Sequence, residues 1–234
     1  MDKSRTCRVI VFIDASNVYR DLRKAFCEGS PVPDEGGEPI QLKSQAGQFD
    51  PARMGRLLAS MGPDFETWTL EEVRIYCGRP SPDRERYATQ AFDRQEAAWS
   101  AQGVVVRPRP LQYPEGWPTQ KAHQKGVDVE LAIDVVTMAG IRYDVGILAS
   151  TDTDLVPALE AVDKVRGQNA TPRNCVVGFD GLKKQLRLKM RSIYSLRTTR
   201  TPKPTWARRS EFIRPARCVQ IVRGELVAVV ASRA

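Results

Sequence analysis

Arg8-Val-Ile-Val-Phe-Ile-Asp14 is the stretch from which the rest of the chain is read. Five apolar residues follow one another, four of them β-branched, with no polar residue between. That is the mark of a strand buried on both faces, as in a parallel sheet. The run ends on the carboxylate of Asp14. Ser16 or Asn17 can then cap a helix to about Phe26. Moving outward, the alternation continues. Strands are expected at 70–77, 103–107, 144–149, 174–179 and 192–196, and helices at 50–61, 81–101, 126–139, 154–165 and 182–190. Asp50-Pro51 is a helix start in itself, with Asp at the cap and Pro in the first turn. Pro108 and Pro110 are expected to break the third strand. The segments 28–48 and 108–124 read as long loops. Residues 219–222 and 225–230 read as a hairpin around Arg223-Gly224. The pattern is α/β: a parallel sheet with helices on both faces, joined by right-handed crossovers.

Composition sets limits on the function. The chain has 234 residues, 41% of them hydrophobic and 27% charged, enough for one large domain with a real core. No apolar run approaches the roughly 20 residues of a membrane helix, and the first residues do not read as a secretory signal. The five cysteines, Cys7, Cys27, Cys77, Cys175 and Cys218, include no C-x-x-C pair. They read as reduced thiols of a cytoplasmic protein rather than a disulfide framework or a zinc ribbon. His123 is the sole histidine, which excludes a paired-histidine ribonuclease site and a histidine metal cage.

Charge is unevenly distributed. From Lys183 to Ala234 there are 14 Lys and Arg against two acids, a net of +12, and the rest of the chain carries −4. Arg208, Arg209, Arg214 and Arg217 interleave there with Trp206 and Phe212, a composition suited to phosphate contacts and base stacking. The chain therefore divides into a body, 1–196, and a basic C-terminal extension, 197–234, expected to fold back on it.

In an open parallel sheet, ligands bind beyond the carboxyl ends of the strands. The first strand ends in Asp14, and the fourth in Ser150-Thr-Asp-Thr-Asp154. The helix before the fourth strand starts around Gly126-Val-Asp128. These segments would bring at least four carboxylates to one edge, where they repel one another unless a cation sits among them. Mg2+ or Mn2+, with hard oxygen ligands, answers that need and activates water toward a phosphodiester. Asp154, with Pro157 close behind, is open to reading as a helix cap; Asp152, at the strand tip, suits capping less. Asn17 either caps or holds a water at the site. Asp134 lies six residues past Asp128, about 120° around the helix, so it supports the site or the structure rather than sharing a ligand face. Lys121, His123 and Lys125 lead into the Asp128 helix, where they either hold substrate phosphates or line a solvated loop.

Three segments together resemble the NYN domain: Val9–Asn17, Lys125-Gly-Val-Asp-Val-Glu-Leu-Ala-Ile-Asp134, and Tyr143–Pro157. That domain belongs to the PIN-like (Rossmannoid) ribonuclease fold, and the likeness is to its LabA-like branch, over about 8–196. The resemblance implies metal-dependent RNA cleavage. Asp14, Asp128, Asp152 and Asp154 take the acidic positions, Asn17 the supporting Asn, and Ser16 and Ser150 flank the ligands. It implies RNA as partner, and leaves room for a homo-oligomer or a regulatory protein partner. Two departures stand out. Thr151 and Leu155 replace the usual Gly and Phe of Ser-Gly-Asp-x-Asp-Phe, and Arg191–Ser195 carries no acid where the family often has one; Asp180 is the nearest substitute.

Other nucleotide chemistries are excluded. No G-x-G-x-x-G follows the first strand, and no G-x-x-x-x-G-K-[ST] occurs. A haloacid-dehalogenase-like site wants an acid two residues after Asp14, where Ser16 stands. A Toprim-like site would end its first strand in Glu.

Overall fold

The computed structural model describes residues 5–27, 48–63, 66–166, 171–179, 193–198, 219–222 and 225–228. The sheet is built from β1 (Arg5–Asp14), β2 (Glu66–Arg79), β3 (Val104–Pro110), β4 (Val145–Ala149), β5 (Arg173–Phe179), β6 (Ile193–Thr198), β7 (Val219–Val222) and β8 (Glu225–Ala228). Its order is β3-β2-β1-β4-β5-β6-β7-β8, parallel throughout except for the β7–β8 pair. The helices are α1 (Ala15–Cys27), α2 (Pro51–Ala59), α3 (Arg86–Ala101), α4 (Val127–Met138) and α5 (Val156–Lys164).

β1 is buried on both faces, as its unbroken apolar run requires. Val9, Val11 and Ile13 join a core with Val18 and Leu22 of α1 and Ala52, Met54 and Leu58 of α2. Ile10 and Phe12 point the other way, into a core with Val127, Leu131 and Val135 of α4 and Leu159 and Val162 of α5. The period-two alternation of a strand thus feeds two helical layers. The outer face of α4 exposes Val129, Ile133 and Val136.

Three local readings change. β2 begins at Glu66 rather than 70. β3 runs through Pro108 and Pro110, which pair with Cys77 and Arg79. It survives because β3 is the edge strand: the missing proline N–H groups fall on its unpaired side. α1 begins at Ala15, directly after Asp14, so neither Ser16 nor Asn17 is its cap. The expected helix 182–190 and residues 28–47 of the expected loop 28–48 lie outside the described residues, as do Asp180, Trp206, Phe212, Arg208, Arg209, Arg214 and Arg217. β6 straddles the expected boundary at 196/197. No helix among the described residues is long and apolar enough to cross a membrane.

Candidate active site

The strand order reverses between β1 and β4. β2 and β3 lie to one side of β1, β4 and β5 to the other. Ile13 pairs with Ala149, so Asp14 and Ser150 leave the sheet side by side at its carboxyl edge. This is the switch point where an open α/β sheet forms its crevice.

Asp14 is 1% exposed. Its Oδ1 accepts from the Asn17 backbone N–H at 3.0 Å and from the Ser16 hydroxyl at 3.1 Å, so Asp14 itself caps α1. Its Oδ2 accepts from the Ser150 hydroxyl at 3.1 Å, which leaves one acceptor position on that oxygen. The Ser150 Oγ in turn accepts from the Asp152 N–H at 3.1 Å. One serine hydroxyl therefore links the two carboxylates, Asp14 through its proton and Asp152 through its backbone. Burial raises the Asp14 pKa, its three hydrogen bonds pull it down, and the Asp152 charge raises it further; the net shift is upward.

Asp152, not Asp154, is the residue that caps. Its Oδ1 accepts from the Asp154 N–H at 3.0 Å, opening a one-turn 3₁₀ helix, Thr153–Leu155, that runs into α5. Asp154 is exposed beside it. Asp128 is the second residue of α4, after Gly126 in the left-handed conformation (φ 76°). Its surface is open to solvent, yet partial desolvation is the first cause of a raised pKa. The charges of Asp14, Asp152 and Asp154 follow, and Arg20 opposes them. Asp128 thus feels the charges of the other three, Asp14 feels that of Asp152, and Arg20, one turn past Asn17, offsets them at Asp128.

Among the described residues no three His, Cys, Asp or Glu side chains form a group that would hold a metal ion as they stand. The carboxylates gather at one edge without converging on a point. In kind, the donors fit a hard divalent cation: all are carboxylate oxygens, and two have pKa values raised partly by their neighbours' charges.

Asn17 is 2% exposed, and its Oδ1 accepts from the Thr151 N–H at 3.0 Å. It joins the end of β1 to the tip of β4. Asp134 turns to β2, where its Oδ2 accepts from the Tyr76 hydroxyl at 2.7 Å and from Arg74 at 2.9 Å. Lys121, His123 and Lys125 are exposed in the loop before α4. There the His123 and Gln112 backbones exchange two hydrogen bonds, and neither lysine has an ion-pair partner among the described residues. Burial pushes the Cys77 thiol up to about 12, which leaves no thiolate nucleophile there at neutral pH.

The NYN domain family profile matches residues 8–170, the span that carries Asp14, Asp128, Asp152 and Asp154. The chain belongs to the NYN domain family. Neither a curated protein nor a solved structure gives a significant match. Its sheet and helices are those of a PIN-like NYN domain, a nuclease-type, RNA-related fold.

Sequence reasoning missed Arg20, Asp21 and the bonding of Thr151. A signal was present for two of them. Arg20 and Asp21 lie three and four residues past Asn17, so on a helix they share its side.

Proposed function

We propose that this NYN domain protein is a divalent-metal-dependent endoribonuclease that hydrolyses phosphodiester bonds in single-stranded or flexible RNA. One observation carries the reading: carboxylates from β1, α4 and the β4 tip gather at the switch point of the sheet, and their charges help to raise the pKa of Asp14 and Asp128. Asp14, Asp128, Asp152 and Asp154 would hold Mg2+ or Mn2+. When bound, such an ion polarises a phosphoryl oxygen and makes water a competent nucleophile. The chain's own groups do the rest. Ser150 orients Asp14 and Asp152 together. Asn17 fixes the β4 tip. Arg20, Lys121 and Lys125 neutralise phosphate oxygens at the edge, His123 contacts them, and the basic C-terminal extension, 197–234, supplies backbone affinity. Buried Cys7 and Cys77, outside any disulfide, suit a reducing compartment such as the cytoplasm.

A non-catalytic RNA-binding or regulatory module is the second reading. The sealed Asp14, with both oxygens hydrogen-bonded, favours it, since such a carboxylate serves as a helix cap with no ligand at all. Incubation with RNA, and in parallel with DNA, in Mg2+ or Mn2+ and then in chelator separates the two. The proposal expects cut RNA ends that vanish with chelator. Intact RNA under every condition would leave the binding module.

A further inference from the structure

Asp21 has no place among the family's acidic positions, yet it is 6% exposed at the level of the site. Its Oδ2 accepts a hydrogen bond from the Thr151 hydroxyl at 2.8 Å. Thr151 stands where the family usually has glycine, so this bond exists only because of that replacement. The same hydroxyl lies 3.1 Å from Asn17 Oδ1. It has one proton for two acceptors, and the shorter, charged contact takes it. Asn17 Oδ1 is then served by the Thr151 N–H at 3.0 Å. Asn17 and Asp21 are one helical turn apart on α1, so together they hold both hydrogen-bond donors of one residue, backbone N–H and side-chain hydroxyl. That residue lies between Ser150, which binds Asp14, and Asp152, which caps the 3₁₀ turn.

We infer that Asp21 is a positioning residue: with Asn17 it clamps Thr151, and so fixes the β4 tip on which Ser150, Asp152 and Asp154 are presented. Glycine at 151 would leave this turn free to choose its backbone conformation. Threonine trades that freedom for a second anchor to α1. The inference rests on the nuclease reading for its consequence and on the hydrogen bonds alone for the clamp.

The test uses the full chain with Thr151→Val, which keeps the shape and removes the hydroxyl, with Asp21→Asn, and with Thr151→Ser as the conservative rescue. Two readouts are taken. One is amide hydrogen exchange at 151 and 152 in the folded, metal-free protein. The other is the kcat and KM of RNA cleavage in Mn2+. Thr151→Val is expected to speed exchange at both amides by about tenfold or more. It should lower kcat by between about tenfold and about 100-fold with KM little changed, the size expected of a misplaced group. Asp21→Asn should move both in the same direction and by less, and Thr151→Ser should restore both to within about twofold. Parental exchange in Thr151→Val, or failure of Ser to rescue, overturns the clamp. Faster exchange with unchanged kcat overturns the positioning role. If the parent itself cuts no RNA, the nuclease reading fails, and exchange alone decides the clamp.

Discussion

Asp14 does three things with one carboxylate: it ends β1, caps α1 and faces the acidic edge. Asp14→Asn can keep the cap through its remaining oxygen while its amide donates to Ser150 Oγ, so the fold has a way to accommodate it. Cleavage should nevertheless fall by at least about 100-fold, because a neutral amide cannot compensate a cation that activates water. Asp152→Asn should behave alike; circular dichroism shows whether each remains folded. The pH dependence follows from the same groups. Asp14 and Asp128 have raised pKa values, so in metal-free protein their ionisation opposes folding, and that penalty is relieved as pH falls through the raised values. Asp144 is the opposite case. Its hydrogen bonds to Arg8 lower its pKa, so it stabilises above the ordinary carboxylate pKa and the gain is lost as pH falls through the lowered one. Melting temperature in chelator should therefore rise slightly on mild acidification and then drop. Asp14→Asn should flatten the rise and leave the drop; a monotonic fall from neutral pH in the parent would contradict this. Asp14, Asp128, Asp152 and Asp154 were legible in the sequence because a carboxylate at a strand tip or a helix start is conspicuous in one dimension. Their bonding was not. Which Asp caps depends on where the helix starts, and the caps of α1 and the 3₁₀ turn lie two or three residues before the positions where propensity places them.

α4 carries Asp128 at its start and is fastened to the sheet near its other end. Leu131 and Val135 bury one side, and Asp134 receives Arg74 and Tyr76 from β2. Arg74 also pairs with Glu72, so the network stays partly satisfied when Asp134 is neutralised. Asp134→Asn is expected to cost about 1–3 kcal/mol of stability. Cleavage per folded molecule should fall less than in Asp14→Asn; equal losses in the two would mean that Asp134 acts in the site itself. Tyr76→Phe removes two hydrogen bonds, one donated to Asp134 and one accepted from Arg74 Nε, and should cost about 1–3 kcal/mol, as denaturant titration would show. The offset of about 120° between Asp128 and Asp134 was readable from spacing alone. The partner of Asp134 was not, because β2 is more than 50 residues away in the chain and no local pattern records that pairing. β3 teaches the converse. Its prolines argue against a strand locally, and only its edge position in the sheet makes them compatible with one.

On the proposed reading, an acidic body joined to a basic C-terminal quarter separates chemistry from affinity. Neutralising Arg208, Arg209, Arg214 and Arg217 together should weaken binding to unrelated RNAs and flatten the salt dependence of log affinity by roughly 0.7 per lost phosphate contact. The rate at saturating RNA should hold. An unchanged salt slope would move phosphate binding to Arg20, Lys121, His123 and Lys125. Mn2+ should stabilise the native chain: at 100-fold above its dissociation constant, by about 2.7 kcal/mol, or roughly 5–10 °C in melting temperature. The α/β class and most of the strand sequence were legible because each strand announces itself by an apolar run. The strand order, which puts β1 beside β4 and creates the edge, is a property of the assembled sheet. The most direct test is the single-turnover cleavage rate of a single-stranded RNA at saturating Mn2+, parent against Asp14→Asn. The expected result is metal-dependent cutting by the parent, abolished by chelator and at least about 100-fold slower in the variant. Equal rates in the two proteins would contradict the claim that these carboxylates are the reactive site.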